Sequence, residues 1–340
     1  MNDFPEFAVK FINNLRLRNR SMETIDGYIF ELKHFFSFLC EHREDPSVFP
    51  ELSDGNSEFT PLPSTPQEIS IIEFQGITHW HIQNYLAYVK REHQLAPRSL
   101  ARKQAAIKSL YSYLFRKDLI SSDVSKKLDP ISIPKEEVIA MEPNEVATLI
   151  ELIESGKWQT AHQQRYTQYT LKRDLAIMLT FLGSGLRLME LQRLNIKDVK
   201  FDKNEFRVLG KRNKVRNQPF NTDTRKAIQE YLTEERPRLG SKGNPSDALF
   251  LSLQGQRITR RAIQKLVEKF MKVLSNEDIN TEDYTTHKLR STCATLLLRE
   301  TGNLPLVQDY LDHEDPKTTR KYAKIVSDEL RRASELIKFK

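Results

Sequence analysis

Apolar residues recur at intervals of three and four through the first part of the chain, a period typical of helices that bury one face. Phe7, Phe11 and Leu15 share one side of a helix predicted over Phe4–Leu17. Ser21 is suited to capping the next helix, because its hydroxyl can accept a hydrogen bond from a main-chain N–H of the first turn. The same period predicts two further helices, over His81–Glu92 and Pro97–Arg116.

Two segments interrupt this helical pattern. Residues 41–73 contain eight acidic residues and one base, Arg43, which predicts a long acidic surface loop turned away from any polyanionic partner. The segment Asp129–Lys135 has two prolines and no helical period, which predicts an extended linker. We therefore expect an N-terminal domain over residues 1–130, a linker over 131–140 and a second domain over 141–340.

The second domain is predicted to combine helices with a small sheet. Strands are expected at 199–201, 205–209 and 215–220, with a hairpin turn at Gly210–Asn213. The expected fold is therefore mainly α with a small antiparallel β-sheet. Helices are predicted over Glu142–Ser155, Leu171–Leu182, Thr222–Glu235, Thr259–Leu274, Thr286–Glu300, Leu304–Leu311 and, at the C-terminus, 328–339.

The distribution of charge favours a polyanionic partner. The chain of 340 residues has a formal net charge of +7, yet residues 1–139 hold 17 Lys and Arg against 19 Asp and Glu, so the positive excess lies in residues 140–340. Within the first part, residues 90–117 carry eight bases against the single acid Glu92. We predict that the helix Pro97–Arg116 contacts the major groove of DNA through its outer basic residues. The predicted contacts are Arg98, Arg102, Lys103 and Lys108, with Arg212 and Lys214 from the hairpin.

Composition also excludes several classes of protein. No stretch approaches the roughly 20 uninterrupted apolar residues of a membrane span, and Met1–Pro5 lacks the pattern of a secretory signal, so we expect a cytoplasmic protein. Cys40 and Cys293 are too few for a disulfide framework and are expected to be buried thiols.

His79 and His81 flank Trp80, but no further ligand lies nearby in the sequence, as a metal site would require. We therefore expect two ordinary histidines at the start of a helix that Thr78 caps. No metal is expected anywhere in the chain.

The candidate chemistry is cleavage of a phosphodiester. Without a metal, this reaction needs cationic donors for the non-bridging oxygens, a nucleophile, and an acid for the leaving oxygen. His287 and Arg290 lie three residues apart on one face of a predicted helix, near its N-terminus, where an anion is favoured. Alone, this pair is weak evidence for a site.

Taken in chain order, a larger set of residues resembles the tyrosine recombinase family, and within it most closely the bacterial Xer recombinases. The set comprises Arg187 with Glu190, Lys211 in the hairpin turn, His287 with Arg290, His313 and Tyr322. The resemblance covers nearly the whole chain, because the family joins an N-terminal helical core-binding (SAM-like) domain to an α+β catalytic domain. Its strength lies in the order of the set, since each residue type alone is common.

The resemblance implies a role for each of these residues. Arg187 and Arg290 hold the non-bridging oxygens, and Tyr322 attacks the phosphorus. His287 is the general base, and Lys211 protonates the departing 5′ oxygen. His313 donates a hydrogen bond to the phosphate, and Glu190 orients its neighbours. Lys214 lies three residues after Lys211 and is a rival for the same task.

The resemblance also implies partners. The product is a 3′-phosphotyrosyl link with a free 5′ hydroxyl, and no cofactor is needed. The DNA is double-stranded with a specific inverted-repeat site, the active form is a homotetramer on paired sites, and the exchange passes through a four-way junction. A DNA translocase or another accessory factor is compatible with the sequence. The predicted C-terminal helix suits docking on a neighbouring subunit and packing on its own domain equally well.

The sequence departs from the Xer pattern at three places. Residues 291–295 read Ser-Thr-Cys-Ala-Thr where such proteins usually have a histidine and an aromatic residue. Asp312 replaces the common glycine before His313, and Ala323 follows Tyr322. A single self-sufficient recombinase therefore fits better than a member of a pair. No separate arm-site-binding domain precedes the first helix, which disfavours a lambda-type integrase.

The sequence leaves three alternatives to chromosome dimer resolution by a Xer-like recombinase. An integrase of a mobile element uses the same chemistry. A type IB topoisomerase shares the attack but relaxes supercoils without exchanging strands. A non-catalytic DNA-binding protein on a recombinase fold belongs to a different class, and the presence of all six catalytic residue types argues against it.

Overall fold

The chain forms two compact units, Met1–Glu136 and Glu137–Lys340, each with an apolar core of its own. The computed structural model describes residues 3–49, 62–134, 139–156, 170–210, 214–240, 246–277, 279, 281 and 284–312. The C-terminal helix predicted over 328–339 therefore lies outside the described residues. No helix in these ranges is long and apolar enough to cross a bilayer.

The first unit is helical, close to the predicted pattern. Ser21 accepts a hydrogen bond from the main-chain N–H of Thr24 and so caps the second helix. Pro97 begins the last long helix, at a position where the missing N–H of proline costs nothing. The helices are α1 (Glu6–Leu17), α2 (Met22–Glu41), α3 (Ile71–Gln75), α4 (His79–His93) and α5 (Pro97–Arg116), with short 3-10 turns at Pro66–Glu68 and Val124–Lys127.

The acidic segment 41–73 is more ordered in its described parts than the sequence suggested. Val48 and Phe49 are buried, and the ring of Phe49 lies 4.6 Å from that of His81. Farther along, Ile69 is buried, and Ser70 caps α3. A few apolar residues therefore anchor both ends of this acidic segment to the core, a contribution that its overall composition conceals.

The histidine pair at the start of α4 behaves as a helix terminus. His81 is fully buried, and its Nδ1 accepts a hydrogen bond from the main-chain N–H of Thr78 at 3.0 Å. Among the described residues, no three His, Cys, Asp or Glu side chains group as a metal site would require. His81 is thus a buried histidine at the start of α4, but the predicted cap by the Thr78 side chain is wrong, because the hydroxyl of Thr78 has no hydrogen-bond partner within the described part of the chain.

The second unit contains eight α-helices and one sheet within its described ranges. Thr259 and Asn303 cap two of the helices through their side chains, as their residue types favour. The helices are α6 (Pro143–Ser155), α7 (Leu171–Ser184), α8 (Leu188–Arg193), α9 (Thr222–Glu230), α10 (Arg236–Gly240), α11 (Arg260–Ser275), α12 (Thr286–Thr301) and α13 (Leu304–Tyr310), and a 3-10 turn spans Ile196–Asp198.

The sheet is the predicted antiparallel meander. Its strands are β1 (Val199–Lys200), β2 (Glu205–Leu209) and β3 (Val215–Pro219), in the order β1-β2-β3. In the register of β2 and β3, Phe206 pairs with Gln218 and Val208 with Arg216. Because side chains alternate between faces, these four share one face of the sheet. Phe206 and Val208 bury that face in the core of the unit.

One predicted helix is longer than expected and changes its hydrogen-bond pattern. Instead of one α-helix over Thr222–Glu235, α9 passes into a π-helical turn at Tyr231–Glu235 and then into α10. The carboxylate of Glu235 accepts hydrogen bonds from the main-chain N–H groups of Lys172 (2.8 Å) and Arg173 (2.9 Å). This carboxylate thus satisfies two N–H groups in the first turn of α7 that the helix itself leaves unpaired.

The two cysteines are buried thiols, as expected, and each unit holds one. Burial raises the pKa of Cys40 to about 11 and that of Cys293 to about 12. Both side chains are therefore protonated and unreactive at neutral pH.

Candidate active site

Gly185 ends α7 and lies next to the predicted arginine segment. Its φ of +60° is in the left-handed region, which glycine adopts without a Cβ penalty. A Cβ at this position would lie 2.9 Å from Cδ2 of Leu311 and 3.2 Å from Sγ of Cys293. Both the backbone conformation and the lack of room for a Cβ therefore require glycine at this position. The contact with Leu311 also shows that the backbone at Gly185 lies close to the segment that leads to His313.

Arg290 is buried in α12 and joins two distant parts of the chain. Its Nη1 donates a hydrogen bond to the carbonyl of Gly185, and its Nη2 donates to the carbonyl of Leu311. His287 lies one turn earlier in the same helix and is exposed. The two residues thus keep the helical spacing predicted from the sequence, with the guanidinium inside and the imidazole outside.

Arg187 precedes α8 and donates to two partners. Its Nη1 lies 2.9 Å from Oε1 of Glu190, and its Nη2 donates to the carbonyl of Asp312 at 3.1 Å. Arg187 and Arg290 therefore bind consecutive carbonyls, those of Asp312 and Leu311. The structure thus brings these two arginines, 103 positions apart in the sequence, to one short stretch of backbone.

Glu190 is the central anion of the site. Its side chain is only 7% exposed, and its two oxygens accept from the Arg187 side chain and from the Arg187 main-chain N–H. Arg216 in β3 adds two hydrogen bonds, each of 3.0 Å. Burial alone would raise the pKa of Glu190, but Arg216 and Arg187 outweigh it and lower that pKa to about 2. The carboxylate is therefore ionised throughout the physiological range.

The β2–β3 hairpin begins beside this cluster. Gly210 donates its N–H to the carbonyl of Lys214 at 2.8 Å, which closes the base of the hairpin. A Cβ on Gly210 would lie 3.5 Å from Nη1 of Arg216 and 3.7 Å from Oδ2 of Asp312. Lys211 and Arg212 lie outside the described residues, but Gly210, immediately before Lys211, belongs to the site.

Asp312 follows α13 and has an unusual backbone. Its φ of +49° is in the left-handed region, which Asp tolerates better than most residues. Its Oδ2 lies 3.4 Å from Nη1 of Arg216 and 3.9 Å from Nη1 of Arg187. The predicted catalytic residues His313 and Tyr322 lie outside the described residues.

Sequence reasoning missed Arg216 and gave Asp312 no role. A signal for Arg216 was present, because it alternates with Gln218 in β3 and with Phe220 just after the strand, and an arginine on the inward face of a strand needs a buried anion. For Asp312 the signal was its residue type at a position where a glycine was expected. Neither signal reveals that Arg216 binds Glu190, or that the Asp312 carboxylate lies near Arg216 and Arg187.

The predicted DNA contacts of α5 differ in their surroundings. Arg98 is exposed. Arg102 and Lys103 both bind the buried carboxylate of Glu31, at 2.7 and 2.8 Å. The Arg102 side chain is nevertheless 67% exposed, whereas that of Lys103 is 9% exposed, so Lys103 serves the interior of the unit in this structure.

Lys108 of α5 is partly buried, and its ammonium donates to the carbonyl of Leu128 at 3.0 Å. In the second unit, Lys214 is exposed at the base of the hairpin. A further group of exposed bases, missed from the sequence, lines a cavity beside Leu188 at the N-terminal end of α11: Arg260, Arg261 and Lys265.

Comparison with known families gives two matches that together cover most of the chain. Residues 140–328 match the Phage integrase family. Residues 7–121 match the phage integrase N-terminal SAM-like domain. The first match alone spans more than half of the chain and contains Arg187, Arg216 and Arg290, which together form the arginine cluster of the site.

Two relatives that cover most of the chain are both named Tyrosine recombinase XerC. The protein named Tyrosine recombinase XerC from Caldanaerobacter subterraneus subsp. tengcongensis is 32% identical over 334 residues, covering 97% of this chain and 86% of the relative. Tyrosine recombinase XerC from Pseudomonas putida is 32% identical over 298 residues, covering 86% of this chain and 91% of the relative.

Among solved structures, the XerH site-specific recombinase bound to difH substrate, in a pre-cleavage complex, has a similar fold. The TM-score is 0.64 at 20% identity, covering 90% of this chain and 78% of that one.

Proposed function

Because this chain belongs to the phage integrase family, whose XerC-named members are tyrosine recombinases, we propose that it cleaves and rejoins double-stranded DNA through Tyr322. It is a site-specific recombinase of the Xer type, with a helical SAM-like domain and a mainly α catalytic domain that contains a small sheet. The residues that carry the reaction belong to the second unit.

One observation carries the assignment of the site. Arg187 and Arg290 come from separate helical segments, yet they bind consecutive carbonyls at 311 and 312. The chain continues from there directly into His313 and on to Tyr322. Two guanidinium groups at the start of the segment that holds the proposed nucleophile provide the charge that a transferring phosphoryl group requires.

Arg187 retains donors for a phosphate. A guanidinium has five N–H donors, and its hydrogen bonds to Glu190 and Asp312 use two of them. Its side chain is 37% exposed, so an anion from solvent reaches it. Glu190, already bound to Arg216, fixes the orientation of that guanidinium rather than transferring a proton.

The proposed reaction is an in-line displacement at phosphorus. The phenol oxygen of Tyr322 bonds to the phosphorus as its proton passes to His287, and the bond to the 5′ oxygen breaks. Lys211 supplies the proton that makes this oxygen a free hydroxyl, and His313 donates a hydrogen bond to the phosphate. Rejoining is the reverse reaction, in which a 5′ hydroxyl displaces the tyrosine, so the reaction consumes no ATP.

Tyr310 is a rival nucleophile, because it also lies close to the site in sequence. Its hydroxyl donates to the carbonyl of Gly183 at 2.8 Å, and the carbonyl of Pro219 lies 3.1 Å from the same hydroxyl oxygen as a second acceptor. Burial raises the pKa of Tyr310 well above its ordinary value. Its hydroxyl therefore ties α13 to neighbouring backbone and is a poor nucleophile.

The test is covalent capture on a nicked suicide duplex that carries the recombination site. The site is first located by a search for inverted repeats in the chromosome near the coding sequence. We expect the wild type to form a protein–DNA adduct, Tyr322→Phe to bind the duplex without an adduct, and Tyr310→Phe to retain the adduct. An adduct formed by Tyr322→Phe at the wild-type level would reject Tyr322 as the nucleophile. Loss of the adduct in Tyr310→Phe with retention in Tyr322→Phe would transfer the assignment to Tyr310.

For the biological task, we favour chromosome dimer resolution, in the cytoplasm and on the nucleoid, by a homotetramer bound to two inverted-repeat sites. The names of the relatives support this task over integration of a mobile element, which uses the same chemistry. A DNA translocase is the accessory partner that we propose for chromosome dimer resolution. Deletion of the gene is expected to increase the fraction of dimeric chromosomes, and an unchanged fraction would favour the integrase.

A further inference from the structure

Two carboxylates face the arginine cluster, and their environments differ. Glu190 is almost fully buried and accepts hydrogen bonds of 2.9 to 3.0 Å from Arg187 and Arg216. Asp312 is 34% exposed, and its carboxylate lies 3.4 Å from Arg216 and 3.9 Å from Arg187. The distance to Arg187 exceeds that of a hydrogen bond, so Asp312 is held mainly by charge.

This difference separates the two roles. Removal of the Glu190 carboxylate would leave the guanidinium groups of Arg187 and Arg216 without the buried anion that they bind. The loss in stability would be large. Withdrawing the Asp312 carboxylate breaks only longer contacts near solvent, where water replaces them at little cost. Glu190 is therefore a fixed part of the site, and the Asp312 carboxylate is a displaceable one.

We propose that the Asp312 carboxylate competes with the DNA phosphate for Arg187 and so weakens the hold of this site on DNA. The inference rests on the proposed function, because it assumes that Arg187 binds a backbone phosphate. An anion 3.9 Å from Arg187 lowers the positive potential that a phosphate meets there. Moderate affinity at this position favours release of DNA between rounds of exchange.

The backbone of Asp312 allows this competition without a separate mobile element. Its carbonyl accepts from Arg187, so the main chain stays fixed to the arginine whether or not the carboxylate is engaged. A rotation of the side chain alone moves the charge towards solvent. The left-handed φ of +49° is retained best by Asn, Asp or Gly, which defines the variants that test the proposal.

The test compares Asp312→Asn and Asp312→Gly with the wild type. Asparagine keeps the size and the left-handed conformation but removes the charge, and glycine also relaxes the backbone. The probe is a duplex of mixed sequence, titrated by fluorescence anisotropy between about 50 and 200 mM salt, where affinity reports phosphate contacts. We expect both variants to bind about three- to tenfold more tightly at the lowest salt, with a steeper dependence on salt.

Asp118→Asn is the matched control. Asp118 also has a left-handed φ, of +54°, but it is exposed in the first unit, at the end of α5. We expect a smaller gain in affinity from this variant than from Asp312→Asn. Equal gains in the two variants would assign the effect to net charge and overturn the proposal. Unchanged or weaker binding by folded Asp312→Asn and Asp312→Gly, as judged by thermal melting, would also overturn it.

This comparison is independent of the covalent step. Failure of the wild type to form an adduct would reject the recombinase activity and leave the binding comparison intact. Adduct formation together with unchanged affinity in the Asp312 variants would reject only the competition.

Discussion

Arg216 donates two hydrogen bonds, each of 3.0 Å, to the same carboxylate of Glu190 that orients Arg187. The pairing ties β3 to α8 through a single buried anion. Arg216 lies two residues after Lys214, whose carbonyl closes the base of the β2–β3 hairpin with Gly210. The Glu190 anion therefore also fixes where the base of the hairpin lies relative to Arg187.

We predict that Arg216→Lys slows covalent capture about 10- to 100-fold while DNA binding changes less. A lysine keeps the charge but cannot donate two parallel hydrogen bonds, and a charged hydrogen bond contributes on the order of 1.5–3 kcal/mol. The measurement is the rate of adduct formation on the suicide duplex at saturating protein. Arg207→Lys, at an exposed position of the neighbouring strand, is the control, and equal rates in the two variants would contradict the role of Arg216.

A second prediction concerns acid stability. The pKa of Glu190 in the folded protein is about 2, below its ordinary value of 4.5. Its contribution to stability is therefore fully present above pH 4.5 and is lost as the pH falls towards 2. The difference corresponds to about 3 kcal/mol. We expect Glu190→Gln to lower the free energy of unfolding at neutral pH and to flatten its fall below pH 4.5.

Urea titrations at a series of pH values measure this effect. Glu268→Gln, at an exposed position of α11 in the same unit, is the control and is expected to follow the wild-type curve. Parallel curves for Glu190→Gln and the wild type between pH 4.5 and 2 would show that the pKa of Glu190 is not lowered by folding.

Gly185 and Gly302 form a matched pair for a third prediction. Both have φ near +60°, so an alanine costs about 1–2 kcal/mol of backbone strain at either position. At Gly302 a Cβ would meet nothing within 4 Å, but at Gly185 it would clash with Leu311 and crowd Cys293. We expect Gly185→Ala to lose a further 1–3 kcal/mol, roughly the cost of overpacking.

Gly185→Ala also displaces the carbonyl that Arg290 binds, so its adduct formation is expected to fall beyond any loss of folded protein. Thermal unfolding and covalent capture of the folded fraction separate the two effects. If Gly302→Ala destabilised the protein as much as Gly185→Ala, crowding at Gly185 would be unimportant.

The neighbouring bases Arg102 and Lys103 give a fourth prediction, because they share Glu31 but differ in exposure. Arg102→Ala is expected to weaken DNA binding and to reduce the slope of log affinity against log salt by about 1, the value for one phosphate contact. Lys103→Met is expected to lower stability and to leave the slope unchanged. A loss of slope only in Lys103→Met would reverse the two roles.

The helices and the sheet follow from the sequence because their signals are local. The alternation of Phe206 and Val208, and the glycine that closes β2, predict the hairpin within a few residues. Apolar periodicity gives α5 with its observed bounds, Pro97–Arg116. The π-helical turn at Tyr231–Glu235 was missed, because its partners Lys172 and Arg173 lie far away in the sequence.

Order and spacing in the sequence predicted residues of the proposed site but not their contacts. Arg187, Glu190, His287 and Arg290 were predicted as site residues, and the structure places Arg187 and Glu190 in a direct ion pair. Which further side chains join this ion pair depends on how β3 and the end of α13 approach α8. That approach is set by packing of the whole unit, which no local pattern encodes.

Cys40 and Cys293 provide the two units with separate chemical reporters. A thiol-specific reagent reacts with the thiolate, so each buried cysteine is modified only when its surroundings open. The rate of modification of Cys40 thus measures the opening of the helical unit, and that of Cys293 measures the opening of the helix that holds Arg290. A fall in the Cys293 rate alone when DNA is added would locate the stabilisation at the catalytic unit, without any engineered label.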